Sequence, residues 1–248
     1  TYLGDNHIDF GNIQWEYVSG PDAAPVFGTP NSASTNVTVT LFGEYEFRIL
    51  ETNGTCSDAD TITVTFYQQP TAEAGPALEI CDNKTIELQG TAFSYDGGSN
   101  EDFGTILWEY VSGPDATPVF DDDSDPTTNV TVGEYGEYVF RITETNGTCT
   151  SDDVVTVNFY EKPSTEAGDT IEVCNALNTN LNATAHTYDP FPAENNGTST
   201  WKFVSGPDNT PTFINPSLPN TNVSVNNYGE YEFRFVEENG TCNDSDLV

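Results

Sequence analysis

The sequence predicts an all-β protein built of tandem β-sandwiches arranged end to end, and three observations carry that prediction. Short runs alternate apolar and polar residues with period two, as in Gly136 to Ile142, where Tyr138, Phe140 and Ile142 face one way and Glu137 and Arg141 the other. Asn, Asp, Gly and Pro punctuate these runs, and no stretch holds a helical period. The whole pattern then returns at a fixed offset of 93 residues, in Trp15/Trp108/Trp201, Phe27/Phe120/Phe213, Arg48/Arg141/Arg234 and Cys56/Cys149/Cys242.

A unit of 93 residues is large enough to hold its own core and exceeds the units of solenoids. The expected domains are 1–69, 70–162 and 163–248. The first is expected to lack its beginning, since Thr1 and Tyr2 align with Ser94 and Tyr95, and the third its end, since Val248 aligns with Val155. The joints are Tyr67-Gln-Gln-Pro70 and Tyr160-Glu-Lys-Pro163, where proline stiffens a very short connection.

In the complete copy, Leu78 and Ile80 open an alternating strand before Cys81, and Ile86 and Leu88 continue the pattern. The segment 90–104 differs most from its counterpart, which marks a surface loop where binding is most easily tuned. Ile106 to Val111 form the strand that carries Trp108. Trp15, Trp108 and Trp201 are expected at the centres of the sandwiches, with Tyr45, Tyr138 and Tyr231 as further core residues. Ser112-Gly-Pro-Asp115 breaks the strand with a turn, and Asn129 to Val132 add a short strand. Asn146-Gly147 is a hairpin signal, and Asp153 to Tyr160 close the copy, giving about seven strands and a Greek-key sandwich.

Charge excludes several functions. Forty acids against six bases give a net charge of −34, which repels phosphate backbones and anionic lipid surfaces, so neither nucleic acid nor direct membrane insertion is expected. Aromatics at 12% that recur in register separate this chain from disordered acidic polymers. Five cysteines without a CxxC point to disulfides in an oxidising compartment. Pairing within a copy, Cys81 with Cys149 and Cys174 with Cys242, makes each unit self-contained and would contribute about 4 kcal/mol per bond. Cys56 would then pair upstream. The alternative is Cys81 with Cys242 across a joint, because the corner before the second strand and the hairpin turn lie at opposite ends of such a sandwich.

Taken together, Trp-x-x-x-Ser-Gly-Pro, a Gly-x-Tyr-x-Phe-Arg strand and Asn-Gly-Thr-Cys before an alternating last strand resemble the PKD-like, Ig-like repeats of giant bacterial surface adhesins. The likeness is strongest over Val130 to Phe159, while Trp-Glu-Tyr-Val-Ser-Gly-Pro-Asp stands where PKD domains have Trp-Asp-Phe-Gly-Asp-Gly. The cysteine pattern is similar to that of proteins exported by the type IX system of gliding bacteria. The resemblance implies an extracellular, cell-surface stalk for adhesion or gliding, whose partners are other repeats of the same long chain, surface glycans or other cells. Accessory carbohydrate-binding modules of a secreted hydrolase are the alternative, motivated by the aromatics.

No catalytic constellation is present: there is no Ser-His-Asp set, phosphate loop or HExxH, and His7 and His186 do not align and read as surface residues. No enzyme activity and no cofactor other than calcium is expected. Glu51, Asp60, Glu73, Glu144, Asp153 and Glu166 recur near the hairpin turns and joints, joined by Glu237 and Asp246, and are the candidate calcium ligands. A solvated acidic face is the reading favoured by the lack of EF-hand spacing, and the Asp121 to Asp125 loop is a weaker candidate of the same kind. Asn36, Asn53, Asn129, Asn146, Asn222 and Asn239 sit in Asn-x-Ser/Thr sequences, read as turn and strand chemistry in a bacterial protein.

Overall fold

The computed structural model describes residues 11–93, 104–188 and 197–248. Among the described residues there are eighteen strands and no helix. In chain order they are β1 (Asn12–Ser19), β2 (Val26–Phe27), β3 (Val37–Thr38), β4 (Gly43–Asn53), β5 (Cys56–Phe66), β6 (Leu78–Cys81), β7 (Thr85–Glu87), β8 (Thr105–Ser112) and β9 (Val119–Phe120). There follow β10 (Asn129–Thr131), β11 (Gly136–Asn146), β12 (Cys149–Tyr160), β13 (Asn178–Asn182), β14 (Thr198–Ser205), β15 (Thr212–Phe213), β16 (Asn220–Ser224), β17 (Glu232–Asn239) and β18 (Cys242–Leu247). The period of the sequence is the period of the strands: β1, β8 and β14 start 93 residues apart, as the tryptophans do.

The middle copy has seven strands in two sheets, one ordered β6-β12-β11-β8 and the other β7-β10-β9. A four-stranded and a three-stranded sheet from one 93-residue repeat satisfy the strand count read from the alternation. The sequence 136–146 shows why the strand forms: every second residue from Gly136 is buried, and Tyr138, Phe140 and Ile142 are fully enclosed. β6 runs parallel to the end of β12, with Leu78 opposite Val157 and Cys81 opposite Tyr160.

Packing divides the chain into two compact units. The first comprises Thr1–Ala72, Ala92–Ile106 and Thr143–Asp152; the second comprises Glu73–Thr91, Leu107–Ile142 and Asp153–Val248. In the first unit, β4 pairs antiparallel with both β1 and β5, and Trp15 lies opposite Ile49. Tyr45 and Phe47 stack, with Phe66 edge-on to Tyr45 and Phe27 edge-on to Phe47. The exposed cross-strand pair of Arg48 and Glu16 adds little, because water screens it.

In the second unit, Trp108 is 2% and Trp201 3% exposed, and each indole N–H donates to a proline carbonyl, of Pro126 and Pro219 respectively. Leu181, Val223, Phe233 and Phe235 close around Trp201. Trp15 differs from the other two: it is only half-buried, its N–H donating to the Ser32 carbonyl. Gly90 packs so tightly on Trp108 that a Cβ there would fall 2.7 Å from the ring, and Leu88 in the same unit is fully buried. Tyr231 is likewise half-buried where Tyr45 and Tyr138 are enclosed, Tyr138 with Phe159 edge-on to it.

Candidate functional site: hairpin turns and proline joints

Two constellations recur at the 93-residue offset. The first is the turn that ends the tryptophan strand. Asp115 accepts from the backbone N–H of Thr117 and, 18 residues on, from that of Gly133 at 2.8 Å. Asp22 does the same for Ala24 and Thr40, and Asp208 for Thr210 and Asn226. Backbone N–H donors favour the charged carboxylate, so all three are held below the usual aspartate range, with the Ala24, Thr117 and Thr210 amides as the leading causes. The Tyr45, Tyr138 and Tyr231 hydroxyls donate to the carbonyl four residues upstream, of Leu41, Glu134 and Asn227. This is the tyrosine corner of Ig-like sandwiches. Burial pushes the Tyr138 hydroxyl up to about 12, so it stays a donor.

The second constellation joins each Asn-Gly hairpin to a Tyr-x-x-Pro segment. Within the first unit, the Asn146 amide donates to the Gln68 carbonyl at 3.0 Å, and Gly147 lies against the Tyr67 ring. The Gln69 amide donates to the Thr150 carbonyl, and the Ala72 N–H to Ser151 Oγ. Within the second unit, the Asn239 amide donates to the Glu161 carbonyl at 2.8 Å, Gly240 lies against Tyr160, and the Thr165 and Ala167 N–H groups donate to Asp244 and Asp246. The glycine is obligatory, for φ is +56° at both positions and a Cβ would fall within 2.3 Å of a tyrosine ring carbon. Asn146 and Asn239 are both 3% exposed, so they brace the joint and present no amide for glycosylation.

The segments after the prolines are more than connectors. Ala72, Ala74, Thr165 and Ala167 are buried, alternating with exposed Glu73 and Glu166, which bridge to Thr91 and Thr184. Small residues are needed there because the strand lies close against its neighbours: the Gly75 position leaves only 2.6 Å between a Cβ and the Gln89 carbonyl oxygen. Asp153 accepts from the Ala74 N–H at 2.9 Å.

The disulfide pairing within a copy is overturned. Cys81 is bonded to Cys242, 161 residues away, with Cα atoms 5.2 Å apart, and Cys56, Cys149 and Cys174 are free thiols. The strand register explains this. Cys149 opens β12 whereas Cys81 lies opposite Tyr160, which closes it, and eleven residues of strand separate the two by roughly 36 Å. Cys242 instead follows the Gly240 turn that packs on Tyr160, and its sulfur lies 3.5 Å from the Tyr160 carbonyl.

The candidate calcium ligands are placed separately. Glu144 is buried and accepts from the Phe93 N–H, Asp153 serves Ala74, Glu51 is half-buried, and Asp60, Glu73 and Glu166 are exposed. Among the described residues, no group of three or more His, Cys, Asp or Glu side chains is arranged to hold a metal. In the Asp121 to Asp125 loop, Asp122 accepts from the Ser124 hydroxyl and N–H, which hold its carboxyl below the usual range. His186 is half-buried and partnered: its backbone N–H donates to buried Glu237 and its Nε2 lies 3.3 Å from Glu161. His7 and most of the variable 90–104 loop, residues 94–103, lie outside the described residues. The aspartate clamp was the residue set the sequence reading missed. Its signal was the recurrence of Asp22, Asp115 and Asp208 directly after Gly-Pro.

These sheets and corners define an Ig-like β-sandwich protein. The extracellular domains 3-5 of Drosophila OTK have a similar fold, at a TM-score of 0.50 and 13% identity over 97% of this chain and 84% of that one. Weaker likenesses are the titin I67-I69 variant, at a TM-score of 0.47 and 12% identity over 95% of this chain and 85% of that one, and the PKD domain from KIAA 1837, at 0.31 and 24% over 44% and 100%. No protein-family profile matches the chain, and sequence comparison with characterised proteins finds no relative.

Proposed function

We propose that this chain is a run of extracellular, non-catalytic repeats that set reach and stiffness in a large bacterial surface protein of adhesion or gliding. The repeats are 1–69, 70–162 and 163–248. The observation that carries this is the joint. The same asparagine, glycine and tyrosine recur 93 residues apart to brace each proline segment, an investment in geometry that a flexible linker does not need. A disulfide of 161-residue span supports an oxidising, extracytoplasmic setting, and the net charge of −34 supports a surface that stays apart from other polyanions.

The carbohydrate-module alternative loses its motivation at Trp108 and Trp201, whose buried indoles leave no face for stacking a sugar. The test has two arms. Residues 70–162 made alone should show a dispersed amide spectrum and cooperative melting; a fragment that stays unfolded would sink the repeat boundaries. The full chain on a glycan array should show no binding that depends on Trp15, and strong binding lost in Trp15→Ala would overturn the spacer reading.

A further inference from the structure

Two of the chain's six basic residues sit side by side in the third copy. Lys202 on β14 is directly opposite Arg234 on β17, and both are exposed, while Trp201, Phe233 and Phe235 beside them turn inward and are buried. Residues paired in this way share one face of the sheet with Cβ atoms about 5 Å apart, and like charges so placed destabilise it. The other copies avoid that penalty. At the same offset stand Glu16 with Arg48 and Glu109 with Arg141, and Arg48 donates from Nε and Nη2 to Glu16. Lysine at 202 therefore does nothing for folding that glutamate would not do better.

The positions around the pair are filled from within the third copy and do not neutralise it. Thr200 and Val204 flank Lys202, Glu232 and Val236 flank Arg234, and Leu247 lies across from Arg234 on β18, with Ser245 opposite Val236. Glu232 is the one acid among these neighbours. Among the described residues, no carboxylate lies within ion-pair distance of Lys202 or Arg234. The face thus keeps a local positive charge on a chain whose net charge is −34. At physiological salt charges are screened over about 8 Å, so a small ligand resting here meets the two cations, whereas a long polyanion also meets the acids beyond them.

We propose that the outer face of the sheet β14-β17-β18, centred on Lys202 and Arg234, binds a carboxylate-bearing sugar, a single acidic unit in an otherwise neutral glycan. The ligand's carboxylate takes the place beside Arg234 that the Glu16 carboxylate fills beside Arg48. The planar guanidinium of Arg234 donates two parallel N–H bonds to it, and Lys202 adds a mobile point charge. The Thr200 and Ser245 hydroxyls, each able to donate and accept, suit sugar hydroxyls. Val204, 39% exposed, and Leu247, 42% exposed, offer apolar area to the C–H face of a ring. No indole takes part, so the face gives one repeat of the spacer a ligand by a route separate from the tryptophans.

The test is a nuclear magnetic resonance titration of the full chain with sialyllactose, using lactose as the neutral control and heparin as the polyanion. Sialyllactose should cause saturable shifts at Thr200 to Val204, Arg234 and Leu247, lactose none there, and heparin should bind no more tightly. Lys202→Glu restores the charge pairing of the first copy, so it should melt no lower than the natural chain while weakening sialyllactose binding about tenfold or more. Equal shifts with lactose, or undiminished binding by Lys202→Glu, would overturn the site. Tighter binding of heparin would make it a general polyanion patch, and shifts that grow with protein concentration alone would give the face to a second copy of the chain; either result rejects the sugar. A lower melting temperature in Lys202→Glu would assign the pair to folding and reject it as well.

Discussion

The joint at 67–75 with 146–153 and the joint at 160–168 with 239–246 share a frame and differ in how it is fastened. Both have a buried asparagine amide on a main-chain carbonyl, a left-handed glycine under a tyrosine, and an aspartate on an alanine N–H. The second carries the Cys81–Cys242 disulfide, and where the first has the neutral Ser151 hydroxyl on the Ala72 N–H, the second has a charged Asp244 carboxylate on that of Thr165. The shared parts are those that position the backbone. The parts that vary set strength and its dependence on redox state and pH.

The largest expected difference is covalent. Cys81→Ser with Cys242→Ser removes a bond closing 161 residues and should cost on the order of 5 kcal/mol in the chain-entropy treatment. Calorimetry should show this as a lowered transition that reductant reproduces in the natural chain, while a variant already lacking the bond ignores reductant. Next come the hairpin glycines. Gly54→Ala, with φ +60° and nothing within 4 Å, should cost about 1 kcal/mol for the left-handed backbone alone. Gly147→Ala and Gly240→Ala must also displace a ring and should cost on the order of 3 kcal/mol each in denaturant melts. Equal costs at all three would show that the tyrosines are not seated.

Removing the asparagine amides is expected to be milder. Asn146→Ala and Asn239→Ala each remove a buried amide donor from a main-chain carbonyl and should cost about 1–2 kcal/mol, equally in the two joints, by the same melts. The smallest effect separates the joints by pH. The Thr165 N–H, first among its causes, holds Asp244 below the ordinary 3.8. A depressed carboxylate contributes stability that is complete above the unfolded value and is lost as pH falls through the folded one. Amide exchange at Thr165 should therefore quicken below about pH 4 once corrected for intrinsic rates. Exchange at Ala72, clasped by the Ser151 hydroxyl, should not quicken on that account.

Much of this fold could be read in the residues, because alternation and turn chemistry are local. Gly136 to Ile142 announced their buried face, and Asn-Gly announced its turn. What could not be read was where those local pieces meet. The 68-residue spacing from Cys81 to Cys149 looked self-contained, but a parallel β6 puts Cys81 at the far end of β12. Asn146 and Asn239 looked like turn residues, and their amides reach carbonyls 78 residues earlier in sequence. His186 looked solvent-facing because neither Glu161 nor Glu237 is near it in sequence. Repetition marked each position as constrained, and only tertiary geometry said by what.

The Cys81–Cys242 link has a mechanical meaning. Under tension applied at the two ends, force passes through the sulfur atoms and bypasses the residues between them. A stretch whose contour is on the order of 550 Å is thus withheld from extension until the link is reduced. A protease cut inside that stretch would likewise leave both pieces tethered, so the protein can be nicked without letting go.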